Sequence, residues 1–309
     1  VTEKPIKVEY GEIIDQPGIY DMSILHYHSD CCAGPSISSS GLRLIDLKSP
    51  AHYWVHSPLN PKRIDESDKT EEAYLRIGRA AHLLLLEPDR FKKEIITRPD
   101  RWDSWRSGDA KKWRASQQAE GKTVLDPREW ETVIGIAASL RSSPVHREGI
   151  LDGHIEASLI WKDGKTGVWL KARPDAIPTS SNMLADLKIT TDARPRATWR
   201  KVRDLGYDMQ MSLAGIGMQR VLGRTMDHYN LVFIEDDPPH AVRNAPLTDS
   251  LVYWARLRCR RAIDIFATCL RQKDWPGYVE TDGQHIDTSD DEQKRYQAEL
   301  ESGLLPKEF

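Results

Sequence analysis

The sequence predicts a single α/β domain built on a mixed sheet, and three observations carry that expectation. The 309 residues are 39% apolar and 29% charged, a balance that lets a soluble chain bury a real core. Apolar residues recur at helical spacing in the first half and again near the C-terminus, whereas residues 154–189 alternate and turn. The resulting order is helices, a β-meander, then helix, strand and helix.

Residues 1–35 read as an irregular N-terminal segment, because Gly11, Pro17 and Gly18 break every period. Ser38-Ser39-Ser40-Gly41 then precedes Leu42, Leu44, Ile45 and Leu47, a Ser cap opening a short amphipathic helix from about Ser40 to Leu47. Pro50 begins a turn into Ala51-His52-Tyr53-Trp54. Thr70 to Leu86 is a helix: Glu71 and Glu72 suit its positive end, Leu75, Ile77, Ala81, Leu84 and Leu85 supply apolar faces, and Glu87-Pro88 stops it. The polar, Trp-rich stretch 100–121 is an excursion, after which Asp126-Pro127 opens a helix to about Leu140.

His154 to Lys162 is the first strand of the meander, Asp163-Gly164-Lys165 its turn, and Gly167 to Asp175 the return. Met183 to Ile189 is a third strand, Arg196 to Leu222 one long helical stretch with weak points at Gly206, Gly215 and Gly217, and His228 to Ile234 a fourth strand. Asp236-Asp237-Pro238-Pro239 turns the chain into a fifth strand within His240 to Leu247. Residues 248–273 form a helix stopped by Trp275-Pro276-Gly277. One domain thus spans 36–278, and the acidic tail 279–309 is expected to be loosely ordered.

The net charge of −3 does not advertise a polyanion binder, but its distribution does. Residues 280–303 carry eight acids against only two bases, Lys294 and Arg295, so the remainder of the chain is net positive. Arg194, Arg196, Arg200, Lys201 and Arg203 cluster just after Lys188, where a phosphate backbone would be useful. Cys31, Cys32, Cys259 and Cys269 match no zinc or iron–sulfur spacing and read as reduced, structural thiols. No apolar run approaches a membrane span and no secretory pattern opens the chain, so a cytoplasmic protein is expected.

The chemistry resides in Arg173-Pro174-Asp175 at one strand end and Asp186-Leu187-Lys188 inside the next. Residues two apart in a strand share a face, so Asp186 and Lys188 point together while Leu187 packs behind them. Two carboxylates and an ammonium at a sheet edge suit a divalent cation and a positioned water. A cross-strand salt bridge on a solvated face would use the same residues.

Further pieces occur in order: Ser39-Ser40-Gly41-Leu42, Ser49-Pro50-Ala51-His52-Tyr53-Trp54, Gly78-Arg79-Ala80-Ala81-His82, Gly121-Lys122-Thr123-Val124-Leu125, Tyr207-Asp208-Met209-Gln210 and Trp275-Pro276-Gly277-Tyr278. From about Tyr27 to Tyr278 the series resembles the PD-(D/E)xK nuclease superfamily, and more closely its RecE-like exonuclease VIII branch. The resemblance implies a restriction-endonuclease-like fold. It also implies a metal-dependent exodeoxyribonuclease that degrades one strand of linear duplex DNA 5′ to 3′, leaving 3′ overhangs for recombination. Two Mg²⁺ or Mn²⁺ ions would be held by Asp175, Asp186, the Leu187 carbonyl and His82, with Lys188 as the catalytic lysine and Glu156 an acid near the metals. Gln210 matches the glutamine of a Gln-x-x-x-Tyr pattern whose tyrosine is Ala214 here; Tyr207 could supply a ring nearby. Relatives form rings on DNA ends and work with a single-strand annealing protein. Alternatives are an iron–sulfur CRISPR-associated or other repair nuclease of the same superfamily, disfavoured by the cysteine spacing, and a catalytically silent DNA-end-binding protein. Trp102, Trp105 and Trp113, interleaved with arginines and lysines, read first as an excursion packing its aromatics, and second as a flap stacking on unpaired bases.

Overall fold

The computed structural model describes residues 4–64, 73–278 and 290–304. Strands β1 (Ile6–Lys7) and β2 (Gly18–Asp21) and helix α1 (Ile24–His28) precede β3 (Ser36–Ser38). Helices α2 (Ser39–Leu47), α3 (Pro50–His56), α4 (Ala73–Leu86) and α5 (Pro88–Glu94) follow. Strands β4 (Ile95–Thr97) and β5 (Thr123–Leu125) bracket α6 (Gly108–Ala119), and α7 (Pro127–Ser142) and α8 (Pro144–Arg147) lead into the β-rich middle. That middle holds β6 (His154–Ile155), β7 (Ser158–Lys162), β8 (Trp169–Ala172), β9 (Ala176–Ile177) and β10 (Met183–Thr190). Helices α9 (Pro195–Asp204) and α10 (Tyr207–Leu222), strands β11 (His228–Glu235) and β12 (Val242–Pro246) and helix α11 (Asp249–Gln272) come next, and α12 (Asp290–Glu301) lies in the tail. Val1–Gly277 and Tyr278–Phe309 are separate compact units, and the site described below belongs to the first.

Among the described residues two mixed sheets, with the two-stranded pairs β4-β5 and β6-β9, build that unit. The larger runs β1-β2-β7-β8-β3, antiparallel through β2, β7 and β8 and parallel at both outer pairs. The smaller runs β10-β11-β12, with β10 and β11 parallel and β12 antiparallel. Side-chain alternation divides β10 and β11 into two faces. Leu231 and Phe233 point into a core with Met209 and Leu213 of α10 and Phe266 of α11, whereas Leu187, Val232 and Ile234 point into a core with Leu83 of α4 and Val133 and Ile136 of α7. Phe233 and Phe266 are wholly buried, each stabilising the fold by about 2 kcal/mol on transfer grounds. The class is thus α/β with mixed sheets flanked by helices.

Several local expectations change. Residues 1–35 are not irregular throughout: β2 pairs with β7, and Ile19 and Tyr20 are both buried. Strand β2 is only four residues long, too short to display a period. Pro50 begins helix α3 rather than a turn, with Ser49 accepting from the His52 amide at 3.4 Å. The expected strand from His154 to Lys162 is broken at Glu156, which takes φ +52°. The stretch 196–222 is two helices, because Gly206 adopts φ +64° between them, a conformation glycine reaches without strain. In the acidic tail, Asp290–Glu301 is helical, with an i,i+4 pair between Arg295 and Glu299 at 3.9 Å. Thr70, Glu71 and Glu72, expected to open the helix now seen as α4, lie outside the described residues.

The excursion is closed by parallel pairing of β4 with β5. Its tryptophans pack on one another, Trp105 against Trp113 at 6.3 Å and Trp102 against Trp113 at 5.6 Å between centroids. Arg98 and Arg114 lie over the Trp105 ring at 5.6 and 5.0 Å, and the Trp105 indole donates to Asp126 at 2.6 Å. These faces are already occupied, which favours the packing reading over the stacking flap.

Two polar devices hold the elements that matter for the site. Arg258 on α11 donates to Asp46 of α2 at 2.8 Å and to Asp208 of α10 at 2.9 Å, and both carboxylates are almost fully buried. The β7–β8 turn is closed by Asp163, which accepts from the Thr166 amide and hydroxyl at 2.9 and 2.6 Å and from Arg260 at 2.7 Å. Burial opposes ionisation of Asp163, but the Arg260 and Thr166 bonds hold its pKa below the usual value.

Arg258→Ala strands Asp208 without a cation and is expected to cost about 3 kcal/mol, read as a lower urea midpoint. Because the folded Asp163 pKa is depressed, its stabilisation is present above the unfolded pKa near 4 and fades as pH falls through the folded value. Asp163→Ala should therefore lower Tm clearly at pH 7 and much less at pH 3, by calorimetry at both.

Candidate active site

The site forms where the two sheets meet. Strand β10 is paired along its whole length with β11, Asp186 opposite Leu231 and Lys188 opposite Phe233. That pairing fixes Asp186 and Lys188 on one face, and the Lys188 ammonium lies against the Asp186 carboxylate. Asp175 sits between β8 and β9, where its carboxylate accepts the Leu187 backbone N–H. Leu187 itself is buried and faces the site only through its backbone.

Helix α4 brings His82 to the same point. Its Nε2 lies 3.2 Å from Asp175 Oδ2 and its Nδ1 3.4 Å from Glu156 Oε1. The broken strand explains how Glu156 arrives: its left-handed residue turns the chain, and its amide donates to the Asp175 carbonyl at 3.0 Å. A non-glycine residue in that region costs on the order of 1 kcal/mol. Arg173 then holds the Glu156 carboxylate at 2.7 Å while donating to the Met22 carbonyl at 3.0 Å. Gly153, just upstream, passes so close to β9 that a Cβ there would stand 2.1 Å from the Ile177 carbonyl oxygen.

Helix α10 supplies the remaining wall. Gln210 donates to Asp186 Oδ1 at 2.9 Å and accepts from Lys188 at 3.3 Å. One turn earlier, the Tyr207 ring lies 4.6 Å from the Lys188 ammonium, a cation–π contact. Tyr207 thus puts a ring beside the lysine, while Ala214 is buried in the core. Arg43 of α2 approaches the same ring at 5.9 Å.

Charge at the site is strongly coupled. Burial, then repulsion from Asp175, pushes the Asp186 pKa up to about 6, with Lys188 opposing. Burial disfavours the other charges too, yet His82 and Lys188 hold Asp175 below the usual carboxylate range. Against the same burial, Asp175 and Glu156 lift the His82 imidazole well above its ordinary value, and Asp186 and Asp175 raise Lys188.

The residues present fit a divalent cation. Donor atoms of His82, Glu156 and Asp175 lie within 4.8 Å of one another. The buried Asp186 carboxylate adds oxygens beside this group, its Oδ2 against the Lys188 ammonium. One imidazole among carboxylates suits Mn²⁺ as well as Mg²⁺. Among the described residues the cysteines join no such ligand group.

The structure thus brings together His82, Glu156, Asp175, Asp186, Lys188, Gln210 and the Leu187 backbone. The basic residues on and just before α9 have other partners or face solvent. Arg196 and Arg200 are exposed, Arg194 is paired with Asp192 at 2.8 Å, and Arg203 lies over the Trp199 ring at 5.4 Å. Lys201 is half-buried and bonded to Thr190. Sequence reasoning gave Arg173 and Arg43 no role. Arg173 was visible as the first letter of Arg173-Pro174-Asp175, but its partner Glu156 is set by the strand break, which no local signal announces.

Arg173→Met, which frees the Glu156 carboxylate, is expected to weaken Mn²⁺ binding about 10- to 100-fold by titration calorimetry.

Comparison with known proteins agrees with this architecture. Residues 38–284 match a family described as a PDDEXK-like domain of unknown function (DUF3799). No curated protein matches the sequence. A protein of Eubacterium rectale, provisionally described as an exonuclease, has a similar structure, with TM-score 0.54 and 13% identity over 82% of this chain and 90% of its own. At that identity the likeness speaks for the fold alone. A phage-related exonuclease of Haemophilus somnus aligns with TM-score 0.27 and 13% identity over 46% of this chain and 74% of its own, too weakly to carry an argument. The family match spans most of the chain and includes every residue of the cluster, and the chain belongs to this PDDEXK-like family.

Proposed function

We propose that the chain is a divalent-metal-dependent exodeoxyribonuclease that degrades one strand of linear duplex DNA from its 5′ end and leaves a 3′ overhang for recombination. The observation that carries this reading is the convergence of Asp175, Asp186 and Lys188 with His82 and Glu156 at one sheet edge. The family match and the exonuclease description of the Eubacterium rectale protein support the coarser part, a phosphodiester hydrolase. Polarity, the recombination role, a ring-shaped homo-oligomer and a single-strand annealing partner rest on the resemblance to RecE-like exonucleases.

Two ions, Mg²⁺ or Mn²⁺, would be held by Asp175, Asp186, His82, Glu156 and the Leu187 carbonyl. Bound there, they would supply Lewis acidity to the scissile phosphate and to the attacking water. Before a metal binds, the flanking carboxylates outweigh burial and raise the Lys188 pKa. The ammonium would donate a hydrogen bond that orients the water and stabilises developing negative charge. Gln210 fixes that donor by binding Lys188 and Asp186 through the two ends of one amide. The basic residues Arg194, Arg196, Arg200, Lys201 and Arg203 follow the DNA backbone.

Linear duplex labelled at one 5′ or one 3′ end separates the parts of this reading. Mg²⁺-dependent release of the 5′ label is expected, with Lys188→Ala slower by about 10²- to 10³-fold and no release in chelator. Release from the 3′ end or internal cutting would keep the site and discard the polarity. No cleavage with either metal would leave a DNA-end-binding protein.

A further inference from the structure

A groove of about 520 Å³ opens between α9, β12 and the start of α11. Its rim carries two tryptophans, Trp199 and Trp254, which are 62% and 59% exposed. Arg203 and Arg243 also line it, together with Ala245 and Leu247, and among the described residues no carboxylate does. Arg203 lies over the Trp199 ring at 5.4 Å, and Arg243 is oriented by a 2.6 Å bond to Thr198. A folded chain rarely leaves two indoles open to water beside guanidinium groups without a use for them.

The groove is in line with the active site. Lys188 pairs with Phe233 and Phe233 with Arg243 across the three strands of the smaller sheet. Paired residues point to the same face, so Arg243 lies on the catalytic face, two strand spacings or about 10 Å from Lys188. Asp186, Leu231 and Ala245 form the adjacent row.

We propose that this groove binds single-stranded DNA by stacking unpaired bases on Trp199 and Trp254 while Arg203 and Arg243 hold its phosphates. Flat aromatic faces beside a lining charged only by arginine match a flexible polyanion that carries π-faces. The wholly positive charge of the lining favours this ligand over a peptide. The inference rests on the nucleic-acid reading of the site, but its claim is different: a base-dependent grip that is separate from hydrolysis.

Full-length protein in chelator would be titrated into 5′-fluorescein-labelled dT20 and into an abasic chain of the same length, with anisotropy as the readout. Base stacking predicts tighter binding of dT20 than of the abasic chain. Trp199→Ala and Trp254→Ala should each weaken dT20 binding roughly tenfold and together erase its advantage over the abasic chain. Trp199→Phe with Trp254→Phe should restore most of that advantage, and an unchanged Tm would exclude misfolding. Equal binding of the two oligonucleotides by wild type, or alanine variants that bind dT20 as wild type does, would overturn the proposal. Duplex cleavage is measured separately: base-dependent binding without cleavage would sink only the hydrolase reading, and cleavage without base-dependent binding would sink only the groove.

Discussion

The active site depends on one backbone contact, the Leu187 N–H donated to the Asp175 carboxylate. Asp175 follows the larger sheet in the chain and Leu187 belongs to the smaller one, so this bond fixes how the two meet. Had Leu187 lent its amide to a neighbouring strand, Asp175 would lose a buried donor and the carboxylates would no longer converge. Partial satisfaction by backbone also explains how so much negative charge is tolerated out of water, where an unpaired carboxylate is costly.

What the backbone leaves uncompensated falls to His82 and Lys188. The histidine reaches Asp175 and Glu156 from helix α4, and the lysine reaches Asp186 from the sheet itself. Their acidic neighbours raise the pKa of each, so positive charge on these two groups offsets the carboxylates. To become a metal ligand, His82 would release its proton and exchange a carboxylate contact for the ion.

Much of this was legible in the sequence because it rests on short-range periodicity. The alternation Asp186-Leu187-Lys188 fixes a shared face wherever a strand forms, and β10 forms because it can bury Leu184, Ala185 and Leu187 on its two sides. Asp126-Pro127 and Asp163-Gly164-Lys165 marked a helix start and a turn through local chemistry alone. The contacts that remained hidden join distant segments. Arg173 reaches Glu156 only because the chain turns left-handed there, and Ile19 finds β7 across more than a hundred residues. Roles that came from resemblance, such as those of His82 and Gln210, could not have been deduced from spacing, since a lone histidine on an apolar helix usually belongs to a core.

The Arg258 clamp has a consequence for aim as well as for cohesion. Asp208 precedes Gln210 by two residues on α10, so roughly half a turn separates the clamped carboxylate from the amide that touches Asp186 and Lys188. With Asp208 tied to α11 and, through the same guanidinium, to α2, α10 cannot roll about its axis. The clamp works as an azimuthal stop: it sets the angle at which the Gln210 amide meets its two partners, from the far side of the helix.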